Sequence, residues 1–453
     1  MEITEKQRKF FRSNKTRDIA YRREILVRLK NVLKENEQNF YDAVYKDLRK
    51  SEYEAYATEL SLVFSELNDA LSNLASRSRK KRVRTNLVNL PGRSYLLPEP
   101  YGVCLVVSTW NYPFQLSLIP LISAVAAGNT VILKTSEYAP QSSAAIARAI
   151  NSNFPPELMY VIEGDAETGK KLLENRFDKI FFTGSTAIGR LVYQQAAKHL
   201  TPVTLELGGK SPAFVFDDIS ARMAAKRIVW SKFLNSGQTC IAIDYILVKR
   251  EFQEKLISLI ISAVKEVLGS NPAESDNYVS IVNSRHLERL KSLLDKDKVV
   301  YGGEWNDEKL YLSPTIMKDV TFTDKVMEDE IFGPVLPVVP YDNLEEAINE
   351  VKDRPKPLSL YVFSRDKKIR NRLLNEISFG GATVNDGIMH ISNPHLPFGG
   401  VGESGIGGYH GQYGFDAFTH YKSVLEKTYL FEPFLKYLPY KNWKKKILKL
   451  LIE

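Results

Sequence analysis

Through roughly residues 4–78, apolar residues recur at helical spacing. Ile25, Leu26, Leu29 and Val32 stand three or four apart among Lys, Glu and Ala. This spacing predicts two or three amphipathic helices forming an outer layer. Between Asn86 and Pro100 the pattern becomes an alternation bounded by Pro and Gly, which predicts a hairpin or extended arm suited to subunit contacts. From Tyr101 short β-branched runs alternate with helical stretches: GVCLVVST, LSLIPLISAVAAG, TVILK, SSAAIARAI, MYVIEG, KIFFTGS, AIGRLVYQQAAK. Such βαβ alternation predicts a parallel, doubly wound sheet with a nucleotide site at the carboxyl ends of its strands. It resumes after Leu207 with PAFVF, a helix from about Ala221 to Asn235, the strand YILVKR, a long helix from Glu251 to Leu268 and a further αβ set through Phe363. The expected division is residues 1–206 with an arm at about 84–100, a second α/β domain over 207–405, and a C-terminal segment over 406–453.

Composition narrows the class. The 453 residues are 44% hydrophobic and 26% charged, the balance of a folded protein rather than a disordered one. Two cysteines, Cys104 and Cys240, allow neither a disulfide framework nor a four-cysteine metal site, and no metal is expected. The N-terminus lacks the apolar core of a signal peptide, and the apolar stretch from Leu116 to Ala127 is short and holds Pro120. A cytoplasmic protein is the expectation.

The net charge of +8 is unevenly spread. Arg77 to Arg84 carries six basic and no acidic residues, and 421–453 carries eight lysines against three glutamates. The remainder is close to neutral. A bulk-charge argument for nucleic acid weakens, and a local membrane or subunit contact becomes the question.

Several short motifs carry candidate chemistry. FFTGSTAIGR ends a strand and opens a helix, with Gly184 and Gly189 where a backbone could approach a diphosphate. Its G-x-x-x-x-G spacing also serves an ordinary strand-to-helix turn. TVILK ends at Lys134, followed by Glu137; this pair suits ribose hydroxyls or a plain charged loop. Cys104 lies within an apolar strand and reads as a small core residue. Cys240, in NSGQTC, lies on a Gly-containing loop that could present a thiolate. Glu206, in TLELGGK, would have the raised pKa of a general base if buried, or would otherwise make an interstrand salt bridge. Asn111, in TWNYP, could donate to an oxyanion or simply hold a turn. Glu330 and Phe332 in EIFGP suit ribose and ring contacts, and PFGGVG around Phe398 is another Gly-rich loop.

Taken in order, WNYP, LKTSE, FTGS, ELGGK, GQTC, EIFGP and PFGGVGESG resemble the aldehyde dehydrogenase superfamily over about residues 100–420. The WNYP spelling, HLTPVTLELGGKSP and GGYHGQYGFDAFTHYKS look like its class 3 branch of fatty and aromatic aldehyde dehydrogenases. The resemblance implies a Rossmann-like parallel-sheet cofactor domain, a second α/β catalytic domain and a small β arm for oligomerisation. It makes Cys240 the nucleophile, Asn111 with the Cys240 N–H the oxyanion hole, and Glu206 the base for the hydrolytic water. Trp110, Lys134, Glu137, Gly184, Ser185, Gly189, Glu330 and Phe332 would hold the cofactor. The implied chemistry is a thiohemiacetal that gives up hydride, then a thioester hydrolysed to the carboxylic acid. Glu137 favours NAD, with NADP use open. Two departures stand out: Thr135 replaces the proline common in the K-P-S/A-E turn, and the phosphate loop lacks a third glycine.

Tyr112, Trp230, Phe233 and Phe398 are the expected walls of an apolar funnel for a medium- or long-chain aliphatic or an aromatic aldehyde, some of them equally readable as core. The interleaved aromatics, leucines and lysines after residue 420 predict a terminal basic amphipathic helix, for a neighbouring subunit of a homodimer or the inner face of a membrane. Competing readings are a CoA-acylating enzyme, against which Glu206 argues, and a basic membrane- or nucleic-acid-binding protein on an inactive scaffold.

Overall fold

The computed structural model describes residues 2–269, 271–429, 432 and 434–452; tail residues 430, 431, 433 and 453 of the predicted basic segment lie outside the described residues. The N-terminal layer holds more helices than the spacing predicts: Glu2–Arg12, Ile19–Glu35, Glu37–Leu48, and a run from Glu52 to Arg77. Left-handed residues at Asn14 (φ 61°) and Arg49 (φ 54°) follow the first and third of these, without a Gly or Pro to announce the break. The last run contains a π-helical stretch, Tyr56–Leu60.

These helices cover Pro113–Ala127, a helix buried along its whole length, as its nearly unbroken apolar sequence requires. Beneath it lies a six-stranded sheet in the order Gly405–Ile406, Val203–Glu206, Lys179–Thr183, Val103–Val107, Thr130–Lys134, Met159–Ile162. All its pairings are parallel except that of Gly405–Ile406. The first parallel strand in sequence, Val103–Val107, lies between the second and the fourth, so the winding reverses between it and Lys179–Thr183. A doubly wound sheet binds its ligand outside the carboxyl ends at such a reversal.

The second sheet has seven strands in the order Val299–Tyr301, Thr315–Met317, Val335–Tyr341, Tyr245–Lys249, Pro212–Val215, Ser359–Phe363, Gly381–Val384. Helix Arg250–Leu268 packs beside it with Leu256, Ile260 and Val264 buried. This helix is long and apolar enough to cross a membrane by length and composition, which the sequence reading did not anticipate.

The arm is three-stranded rather than a local hairpin. Gly92–Pro100 pairs with Lys81–Val83 on one side and, over nine residues, with Thr419–Lys427 on the other. Pairing across more than 300 residues leaves no trace in local periodicity. The boundary expected between 405 and 406 falls inside the strand Gly405–Ile406, where Gly405 faces Glu206 and the chain returns to the first sheet.

Candidate active site

The loop after Val103–Val107 and the loop before Tyr245–Lys249 meet at the carboxyl edge of the first sheet. Asn111 is 1% exposed, and its Nδ2 donates to the carbonyl of Gln238 at 3.0 Å. Asn235 Nδ2 donates to the carbonyls of both Asn111 (2.9 Å) and Gln238 (3.1 Å). Tyr112 Oη and Thr239 Oγ1 are 2.6 Å apart. Two side-chain amides and a hydroxyl thus staple the Trp110–Tyr112 loop to the segment that carries Cys240. That segment turns through three consecutive left-handed residues, Asn235 (φ 53°), Ser236 (φ 51°) and Gly237 (φ 71°). A Cβ at Gly237 would stand 2.3 Å from the Gly333 carbonyl oxygen, so only glycine fits there.

Cys240 is half-buried. Burial pushes its pKa up, and the carboxyls of Glu330 and Glu206 push it further. Glu206, the last residue of Val203–Glu206, is 3% exposed, and neither of its oxygens has a hydrogen-bond partner. Burial alone raises its pKa well above the carboxylate range. Glu330 is raised to about 8, chiefly by burial and then by Asp244. It lies so close to the ELGGK turn that a Cβ at Gly208 would meet its Oε2 at 2.0 Å. Asp244 anchors this contact: it takes Lys210 Nζ at 2.8 Å and the Ile331 N–H at 3.2 Å.

At the carboxyl edge of the first sheet, Lys134 Nζ bonds the Thr135 carbonyl (2.7 Å) and Glu137 (3.2 Å), so the two expected ribose contacts are paired with each other. Ser185 caps helix Thr186–Ala197 by accepting the Ile188 N–H at 3.4 Å. Gly189 lets that helix press onto the sheet, where a Cβ would meet Leu207 at 2.4 Å. The region fits a dinucleotide. Thr183 Oγ1 and Glu330 Oε1 are enclosed and unpartnered, a capped helix N-terminus opens there, and Ile188 and Leu191 stand exposed beside it. Trp110 and Phe332 meet edge to face at 5.4 Å.

Of the expected funnel residues, Tyr112 is 6% exposed beside Thr239 and Trp230 is 38% exposed. Phe233, at 2%, belongs to the main core. Phe398 is enclosed between the rings of His390 and His410, at 6.2 and 5.5 Å. Lys50, Glu54, Glu59, Asn235, Gln238 and Asp244 also shape the site and were missed by the sequence reading. They are ordinary polar letters in helices and loops; only NSGQ beside Cys240 carried a local signal. A separate hollow, lined by Tyr101, Lys179, Thr204, Gly400, Gly407 and Asp416, includes none of the candidate residues.

Residues 2–424 match the model of the aldehyde dehydrogenase family. The chain is 45% identical over 435 residues to the 4,4'-diaponeurosporen-aldehyde dehydrogenase of Staphylococcus aureus, covering 96% of this chain and 95% of that one. It is 44% identical over 420 residues to aldehyde dehydrogenase family 3 member A2 of Rattus norvegicus, covering 93% and 87%. A solved structure described as the substrate-bound state of Staphylococcus aureus AldH superposes with a TM-score of 0.98 at 43% identity, covering 100% of this chain and 99% of that one. A doubly wound sheet and a cysteine within electrostatic reach of two buried carboxyls agree with these matches: the chain belongs to the aldehyde dehydrogenase family, NAD(P)-dependent oxidoreductases that act on aldehydes.

Proposed function

We propose that Cys240, Glu206 and Asn111 carry the oxidation of an apolar aldehyde to its carboxylic acid. The observation behind this reading is the Glu206 carboxyl, buried with both oxygens unpartnered within electrostatic reach of the Cys240 thiol. The Cys240 thiol first gives its proton to the Glu206 carboxylate, which passes it to solvent; attack by the resulting thiolate on the aldehyde carbon forms a thiohemiacetal whose oxygen takes negative charge. One N–H of Asn111 Nδ2 goes to Gln238; the other, with the Cys240 backbone N–H, is the donor pair for that oxygen. A bound nicotinamide dinucleotide supplies the acceptor for the hydride that leaves the same carbon. Glu206 then takes a proton from water as the water attacks the resulting thioester, and the cysteine leaves as thiolate. Water as acyl acceptor, rather than CoA, follows from having a buried base beside the thiol.

Lys134, Glu137, Gly184, Ser185 and Gly189 hold the adenosine and diphosphate in this reading, and Trp110, Glu330 and Phe332 the nicotinamide riboside. The Glu137 carboxylate accepts from a free 2′-hydroxyl, which favours NAD over NADP. Tyr112 and Trp230 line the approach for an aliphatic or aromatic chain, with Phe233 and Phe398 packed in the core rather than on the wall. The arm pairs with a second copy as a homodimer, and the basic tail makes peripheral contact with an anionic membrane.

The test follows cofactor reduction with a panel of aldehydes. Wild type should turn over faster as the chain lengthens from short to medium, and Cys240→Ala should be inert. Glu206→Gln should release one equivalent of reduced cofactor in a burst and then stall. Steady turnover by Cys240→Ala would defeat the assignment.

A further inference from the structure

We propose that the buried ion pair of Lys50 and Glu59 positions Asn111, so that both are positioning residues for aldehyde oxidation; this rests on the role given above to Asn111. Neither side chain has any exposed surface, and Lys50 Nζ lies 2.6 Å from Glu59 Oε1. The ammonium also donates to the backbone carbonyl of Asn111 at 3.1 Å and stands 4.3 Å over the Tyr112 ring. The second Glu59 oxygen accepts the Phe114 N–H at 2.8 Å and the Gln115 N–H at 3.4 Å, in the first turn of Pro113–Ala127. Those N–H groups have no partner within the helix, and the positive end of the helix favours the carboxylate.

Every polar bond of the pair therefore ends on residues 111–115 or within the pair itself. Lys50 and Asn235 fix the Asn111 carbonyl, Glu59 fixes the helix that begins two residues later, and Gln238 takes the Asn111 amide. Together these contacts set the backbone angle from which the remaining Asn111 N–H points. A buried ion pair is a weak source of stability, because desolvation offsets most of its attraction, so stability alone does not account for it. Placement of Glu59 points the same way: it lies in the π-helical stretch Tyr56–Leu60, and π turns inside helices gather at functional sites. Glu54, one turn earlier, accepts the Asn235 N–H at 2.9 Å and extends the same scaffold to the cysteine loop.

The decisive variant is K50M/E59Q, which removes both charges together, leaves no uncompensated buried ion, and keeps an acceptor for the Phe114 N–H. Its kcat should fall roughly 10- to 100-fold, the scale of a misplaced reacting group. Cofactor KM and the rate of Cys240 alkylation by iodoacetamide, which forms no oxyanion, should not change. In an N111A background the same pair of substitutions should cause no further loss, because the donor that it positions is gone. An equal loss in both backgrounds would overturn the proposal while leaving the role of Asn111 standing. Wild-type kcat in N111A alone would instead overturn the role of Asn111, and with it the need for positioning. Should K50M/E59Q not fold, Lys50→Arg, which keeps both charges but moves the donor from the Asn111 carbonyl, goes through the same cycle with the same two readings.

Discussion

A carboxyl group enclosed with neither oxygen hydrogen-bonded, as at Glu206, resists ionisation because water that would solvate the anion is excluded and nothing replaces it. Its folded pKa is raised above the ordinary 4.5. Between the ordinary and the raised value the folded state holds a proton that the unfolded chain gives up, so stability falls across that interval, and the carboxylate that acts as base forms as pH passes the raised value. Glu206→Gln removes that penalty. It should melt at higher temperature than wild type near pH 8, by about 1–3 kcal/mol of stability, and no differently below about pH 4. Equal melting of the two at both pH values would show that the carboxyl is solvated. Glu206, Cys240 and Asn111 could be proposed as candidates from the sequence because each sits in a short local spelling. Lys50, Glu59 and Asp244 were not, because their meaning lies in partners such as Asn111, Phe114 and Ile331, distant along the chain.

At the scale of elements, strands buried on both faces read directly: TVILK is the strand Thr130–Lys134, and the helix expected from Ala221 runs to Phe233. The early stop reflects the left-handed turn at Asn235, Ser236 and Gly237, where tertiary contacts with Gly333 override helical propensity. Gly237→Ala places a methyl against a backbone oxygen at a left-handed φ. A loss of about 1–3 kcal/mol, with slower Cys240 alkylation because the loop must shift, is expected by thermal melting and iodoacetamide kinetics. Gly169 is the contrast. It lies in helix Ala166–Leu173 with no atom within 4 Å of its Cβ position. Gly169→Ala should stabilise by about 0.4–1 kcal/mol and leave alkylation unchanged. A Gly237→Ala enzyme that behaved like Gly169→Ala would mean that the turn is not constrained.

Across the whole molecule, the two basic segments that the sequence separates by some 340 residues converge on the arm. Lys81–Val83 forms its outer strand, and Lys427 donates to the Asn89 carbonyl at 3.0 Å. The terminal helix Asn442–Ile452 packs against Leu87–Asn89. Not all of this charge faces outward: Arg77 is paired with Asp69 at 2.6 Å, and Lys444 is buried on the carbonyls of Phe434 and Tyr437. Lys441, Lys445 and Lys446 remain exposed, as do Trp443, Leu450 and Ile452, so that basic and apolar side chains alternate around the terminal helix. At about 1 kcal/mol per lysine near an anionic surface, these three contribute roughly a hundredfold in partitioning. Replacing all three by Gln should lower binding to phosphatidylserine vesicles in a flotation assay by that factor. Added salt should weaken wild-type binding in the same direction. Deleting residues from 434 onward should abolish binding while leaving turnover of a water-soluble aldehyde unchanged, because the helix rests on the arm and on the tail itself rather than on the catalytic body. Absence of vesicle binding by the intact chain at low salt would end the membrane reading and leave the exposed face to the second subunit.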